Sequence, residues 1–128
     1  MSEPTVFLIE DDEAVLASLS VLLEISGMTT KSYLSAETFL SELTAGATGC
    51  IITDVKLSGM SGIQLQEHLY GLNCQLPIVI VTGRVEADME ARIMDRGAVA
   101  LLRKPYDPHQ LLAAARQALE RNAELQQQ

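Results

Sequence analysis

The chain has 128 residues, 48% of them hydrophobic, enough for one domain with its own core and without room for a second. Its formal net charge of -8 offers no basic face for a phosphate backbone, so unaided nucleic-acid binding is excluded and any DNA contact needs a separate output domain. Cys50 and Cys74 lack metal-ligand spacing, no secretory leader precedes them, and no apolar run approaches the roughly 20 residues that span a bilayer, so a reduced, cytoplasmic, non-membrane protein is expected.

Residues 5–9, Thr-Val-Phe-Leu-Ile, are a continuous apolar run that suits a strand buried on both faces of a parallel sheet, and Glu10, Asp11 and Asp12 stop it. Val15, Leu19, Leu22 and Leu23 then fall on one face of a helix, with Gly27 as its C-terminal cap. Residues 28–33 form a weaker, polar strand that suits a sheet edge, and Ser35 caps a helix burying Phe39, Leu40 and Leu43. After a loop, Cys50, Ile51 and Ile52 make an apolar strand running into Thr53 and Asp54. Ser61 with Gln64 reads as a capping box for a helix carrying Ile63, Leu65 and Leu69. Residues 77–81 are the next strand, ended by Thr82-Gly83; a short charged helix over about 86–96 stops at Gly97, and 98–102 are the last strand. Asp107 as N-cap and Pro108 in the first helical position begin a long helix with Leu111, Leu112, Ala115 and Leu119 inward. Residues 1–123 are expected as the folded unit, with 124–128 a polar tail or the start of a linker.

Five strands alternating with five helices imply a single five-stranded parallel sheet, doubly wound, and the order 2-1-3-4-5 is the common flavodoxin-like solution. In such sheets the carboxyl strand ends form the site, which brings together the acidic cluster, Asp54, Thr82 and Lys104. Magnesium takes oxygen ligands and keeps several waters, so Asp11, Asp54 and Glu10 are sufficient candidates. A carboxylate attacking phosphorus faces charge repulsion, which a bound cation and the Lys104 ammonium would relieve, and a hydroxyl at Thr82 could donate to a phosphoryl oxygen. Singly, each residue has an ordinary reading: the acids cap helices, Thr82 bonds backbone, Lys104 is solvated. Their joint placement outweighs those readings. His68 and His109 lack ligand or triad partners and are read as structural or solvated, and the charges over 86–96 as a solvated helical face.

On these residues the chain resembles the receiver domain of two-component response regulators over almost its whole length. The acidic pair Glu10-Asp11, Asp54 after Cys-Ile-Ile-Thr, the loop Leu57-Ser58-Gly59-Met60-Ser61-Gly62, Thr82-Gly83 and Lys104-Pro105 occur in that family's order and approximate spacing. The resemblance implies a partner histidine kinase that phosphorylates Asp54. It implies Mg2+ held by Asp11, Asp54 and the Lys56 backbone carbonyl with Glu10 acting through water, a cis Lys104-Pro105 bond, and Asp12 as a helix cap. The pattern around Thr82 and the long glutamine-ended helix are most similar to receivers of LuxR-type transcriptional regulators. Such receivers often dimerise through the last two helices and the last strand.

Three positions depart from the family pattern. Leu101 stands where an aromatic residue commonly relays the movement of Thr82, so an altered switch is expected. Ser58 replaces a proline that would fix the loop, so a more mobile loop is expected. Lys56 and Arg84 put two cations at positions that flank the phosphoryl group. The leading function is a phosphorylation-dependent switch. A phosphorylation-independent interaction module is the alternative, and an aspartyl-phosphate phosphatase ranks below both, because Lys56 occupies the place of the second acid such enzymes use.

Overall fold

The computed structural model describes residues 3–84 and 86–126. Their element order is β1 (Thr5–Ile9), α1 (Glu13–Ile25), β2 (Thr29–Tyr33), α2 (Ala36–Glu42), β3 (Gly49–Asp54), α3 (Gly62–Gly71), β4 (Ile78–Thr82), α4 (Ala87–Asp95), β5 (Ala100–Arg103) and α5 (Pro108–Gln126). The strands form one parallel sheet in the order β2-β1-β3-β4-β5. Every residue of β1, β3 and β4 is buried, whereas β2 and β5 at the two edges are largely polar or half-exposed. The apolar runs are thus those covered by helices on both faces.

Alternation along the strands divides the core in two. Val6, Leu8, Cys50, Ile52, Val79 and Val81 face α1 and α5, where Leu16, Leu23, Leu111, Leu112, Ala114, Ala115 and Ala118 cover them. Phe7, Ile9, Ile51, Ile78 and Ile80 face α2, α3 and α4, meeting Phe39, Leu65, Leu69 and Ile93. Phe7, Tyr33 and Phe39 form an aromatic cluster with ring centroids 5.5–6.5 Å apart. Burying a side chain such as Phe39 contributes roughly 1.5–3 kcal/mol.

Helix caps lie where local chemistry puts them. Asp12 accepts from the Ala14 and Val15 N–H groups, Ser35 from Thr38, and Ser61 with Gln64 closes a reciprocal capping box. At the start of α5, Asp107 accepts from the His109 N–H while Gln110 accepts from the Asp107 N–H. α5 continues through Gln126, so the boundary expected after residue 123 falls inside a helix, and residues 127–128 lie outside the described residues. One expectation needs correcting. Val15 is 36% exposed, and the inward stripe of α1 runs through Leu16, Leu19 and Leu23 instead. Val15 and Leu16 both satisfy helical spacing with Leu19 and Leu23, and only the seat of the helix on the sheet separates them.

Two close approaches depend on glycine. A Cβ on Gly62 would stand 2.2 Å from the Asp54 carbonyl oxygen, so the start of α3 lies directly against the end of β3. Gly49, at φ +126, lies where a Cβ would meet the Thr5 backbone at 1.9 Å, and its N–H donates to Asn122 Oδ1 at 2.9 Å. Asn122 is 3% exposed on the apolar side of α5, tying that helix to the start of β3. Asn122→Ala leaves a buried N–H unpaired and is expected to lower unfolding stability by about 1–3 kcal/mol. Urea denaturation checks this; a stability unchanged within about 0.5 kcal/mol would show that the bond contributes little.

Candidate functional site

Because the strands are parallel, their carboxyl ends meet at one edge of the sheet. β1 ends at Ile9, and Glu10 continues its line by donating its N–H to the Tyr33 carbonyl at 3.1 Å. β3 ends on Asp54, in register with Val81, and Lys104 follows β5 with its N–H on the Thr82 carbonyl at 2.8 Å. Register therefore brings together four residues far apart in sequence. Glu10, Asp54 and Thr82 are buried, at 5%, 7% and 3% exposure.

Lys104 organises the charges. Its Nζ donates to Asp54 Oδ2 and lies 3.9 Å from Glu10 Oε1, so one ammonium serves two carboxylates. Burial acts to lower the Lys104 pKa, but the hydrogen bond and charge of Asp54, with the charge of Glu10, outweigh it and hold the lysine above its ordinary value. The Lys104-Pro105 bond is cis, as expected from the resemblance. Asp54 Oδ1 accepts the Lys56 N–H at 3.2 Å.

The acidic cluster is divided in space. Asp12 is the cap of α1, while Glu10 points inward and accepts the Asp12 N–H at 3.4 Å. Asp11 is exposed beside Glu10, its Oδ2 accepting both the N–H and the hydroxyl of Ser58, at 3.0 and 3.1 Å. The donor chemistry suits magnesium: hard oxygens from Asp11 and Asp54, with the Lys56 carbonyl two residues after Asp54. The Ser58 contact gives the loop a tether that a proline could not supply in full. A residue that keeps its N–H, where proline has none, ties the β3–α3 loop to the end of β1.

Thr82 faces its own loop. Its hydroxyl donates to the Arg84 carbonyl at 3.0 Å and accepts the Arg84 N–H at 3.2 Å. Leu101 is half-buried against the α3–α4 side of the core, in register with Ile80. Lys56 and Arg84 are exposed on the loops that border the site, and Gly83 lies between Thr82 and Arg84. His68 and His109 are exposed and stand apart from the site. Sequence reasoning missed three features. Ser58 contacts Asp11 across 47 residues, Glu37 Oε2 accepts the Met60 N–H at 3.0 Å, and Tyr106 lines the same small cleft as Glu10, Asp54 and Lys104. A hydroxyl in an acidic-site loop was a usable signal for the first. The other two depend on packing.

Burial pushes the Glu10 carboxyl above its ordinary value, opposed by the Asp12 N–H and Lys104 and reinforced by the carboxylates of Asp54 and Asp11. An acid whose pKa is higher folded than unfolded opposes folding at neutral pH, and the penalty is relieved as pH falls below the folded value toward the unfolded 4.5. Glu10→Gln is therefore expected to raise the melting temperature near pH 7 without divalent cations, and to lose most of that advantage near pH 4. Thermal unfolding at both pH values checks it, and an unstabilised variant near neutrality would contradict it.

Several known proteins are similar to this chain. The chain is 37% identical over 119 residues to the transcriptional regulatory protein FixJ of Azorhizobium caulinodans, covering 93% of this chain and 56% of that protein. It is 36% identical over 115 residues to the response regulator protein TodT of Pseudomonas putida, covering 90% and 51%. The chain thus spans about half the length of these curated relatives. Among solved structures, the response regulator StyR superposes with a TM-score of 0.92 at 38% identity, covering 98% of this chain and 64% of that one. The crystal structure of FixJ-N gives 0.83 at 32% identity, covering 94% and 96%. Residues 6–116 match the family model for the response regulator receiver domain, and with this fold and strand-end site the chain belongs to that family.

Proposed function

We propose that this receiver is a phosphorylation-dependent switch in which a partner histidine kinase transfers a phosphoryl group to Asp54, altering the surface that controls an output domain or partner. The observation that carries this reading is the sharing of one lysine by two buried carboxylates at the strand ends, beside a strand-end hydroxyl. A carboxylate oxygen of Asp54 forms the new O–P bond as the donor's P–N bond breaks, and the electron pair leaves on the kinase imidazole. Asp11, Asp54 and the Lys56 carbonyl would hold Mg2+, with Glu10 acting through water. When bound, that cation supplies positive charge against the phosphoryl oxygens and the attacking carboxylate. Lys104 contributes a second positive charge from the opposite strand and is already in contact with Asp54.

Thr82 reads the modification. To donate to a phosphoryl oxygen its hydroxyl gives up the Arg84 carbonyl, and the β4–α4 loop loses one of the bonds that shape it. Leu101, half-buried in β5 beside Ile80, takes the relay position without an aromatic ring, so output depends on the loop and on α4. The face formed by α4, β5 and α5 is the proposed homodimer surface; it carries exposed Met89 and Met94 and an ion pair between Arg103 and Glu90. Residues 1–123 are proposed as the receiver unit, with 124–128 leading into a linker. DNA would be reached only through a separate output domain. A cytoplasmic site of action suits a chain in which no described helix is long and apolar enough to cross a membrane.

Incubation with Mg2+ and a small acyl phosphate is expected to add one phosphoryl mass to the wild type and none to Asp54→Asn, with a shift toward dimer only in the wild type. Intact mass and size-exclusion chromatography read both. A wild type that gains no phosphate would favour the alternative, a phosphorylation-independent interaction module, which draws on Leu101. The exposed cations at Lys56 and Arg84 are expected to help retain the phosphate by attracting its oxygens and displacing attacking water. Lys56→Ala and Arg84→Ala should each lose phosphate about two- to tenfold faster, the span of a weak, solvent-screened charge contact. Unchanged decay, followed by mass spectrometry, would remove that role.

A further inference from the structure

Helix α4 is seated on the body of the protein at one end. Of its nine residues only Ile93 is buried, while residues 86–92 are exposed or, at Glu90, half-exposed. Around Ile93 the last turn is held by α3. The Gln66 side chain, itself 3% exposed, donates from Nε2 to the Ile93 carbonyl at 2.8 Å. That carbonyl also accepts the Ala98 N–H at 3.3 Å, so a group at the helix end is bonded from two sides. Glu67 takes Arg96 at 3.1 Å and Arg92 at 3.4 Å, and the Arg96 guanidinium lies 4.4 Å from the centroid of the Tyr70 ring. The front of the helix is held differently. Glu86, its N-cap, makes no side-chain cap bond, and the ion pair of Glu90 with Arg103 on β5 is exposed.

We propose that Gln66 is a positioning residue that anchors α4 by its last turn, so that the helix ahead of Ile93 opens by local unfolding while Ile93 and the turn after it stay in place. Exposed ion pairs contribute about 0–1 kcal/mol, whereas a buried polar group left without its partner costs about 1–3 kcal/mol. The buried amide of Gln66, rather than Glu67, therefore decides where the fixed part begins. Local opening follows burial, and a segment with no buried side chain opens at a lower free energy than the core it lies on. The consequence for function rests on the reading of α4, β5 and α5 as the output face. Met89 lies on the part that opens and Met94 on the anchored part, so that face is divided. Thr82 bonds Arg84 directly ahead of the part that opens. A change at the Thr82 hydroxyl thereby reaches Met89 and leaves Met94 in place.

Amide hydrogen exchange of the intact chain, diluted until size-exclusion chromatography shows a monomer, tests the anchor without any phosphate. In the wild type the amides of Glu90, Ala91 and Arg92 are expected to exchange about tenfold faster than those of Gly97 and Ala98, which bond the Met94 and Ile93 carbonyls. Gln66→Met keeps the length of the side chain and removes the donor. It should speed Gly97 and Ala98 about three- to tenfold, the range of one hydrogen bond, and leave the Ile51 and Ile52 amides of β3 unchanged as reporters of global unfolding. Glu67→Ala should speed Gly97 and Ala98 less than Gln66→Met does. Gly97 and Ala98 as fast as Glu90 in the wild type, unchanged in Gln66→Met, or accelerated there no more than Ile51 and Ile52, overturn the inference, as does a larger effect of Glu67→Ala. With Mg2+ and an acyl phosphate, the phosphorylated chain is expected to change exchange over residues 86–92 and not at Gly97 and Ala98; equal changes at both overturn the divided face. A wild type that gains no phosphate overturns the switch reading alone, because the Gln66 comparison needs none.

Discussion

Burying a parallel sheet on both faces leaves polar chemistry very few places to go, and the strand ends are one of them. Side chains of β1, β3 and β4 alternate into two apolar cores, and the adjacent backbones satisfy one another along their whole length. At the carboxyl edge that arrangement ends. There Glu10 and Asp54 are both buried as acids, and one lysine from the β5 side compensates them. Two like charges so placed are costly alone, and the Lys104 ammonium lowers that cost only because register brings it between them. The close approach of Gly62 to the Asp54 carbonyl and the Asp12 cap of α1 lie at this edge.

The site is electrostatically under-compensated, and that has consequences for function. A raised Glu10 pKa means that the folded protein holds this carboxylate ionised at some expense to stability. Regions with such a burden respond to added positive charge, and the proposed cation and phosphoryl group act on the same few atoms. Thr82 is engaged with its own loop, by Arg84, and Asp11 with the β3–α3 loop, by Ser58. Each is a short-range contact that a ligand can compete away, which links occupancy of the site to the shape of two loops rather than to the rigid sheet.

The match to receiver domains covers most of this chain and about half of its curated relatives, so the output of those longer proteins does not carry over by similarity. What carries over is the architecture and the placement of its strand ends. Where this chain departs from the family pattern, Lys56, Ser58 and Arg84 lie on loops and Leu101 lies in β5. Ser58 introduces a tether to Asp11, Lys56 and Arg84 add exposed charge, and Leu101 packs into the core with no ring to swing.

Much of this was legible before any coordinates. The apolar runs at residues 5–9, 50–52 and 77–81 are bounded by polar residues, so their burial and parallel pairing follow from pattern and crossover length, and the 2-1-3-4-5 order is the common solution for such a sheet. Capping residues act within three or four positions, which is why Asp12, Ser35, Ser61 and Asp107 could be placed by inspection. Other features were decided only by tertiary structure. Val15 and Leu16 fit the helix pattern about equally, and docking on the sheet chose Leu16. Ser58 and Asp11 lie 47 residues apart, Asn122 and Gly49 lie 73, and their hydrogen bonds exist because parallel pairing and the seating of α5 bring those backbones together. Local spacing therefore determined which groups reach the site edge, whereas the directions of Asp11 and Thr82 depended on neighbours supplied by other parts of the chain or by their own folded loops.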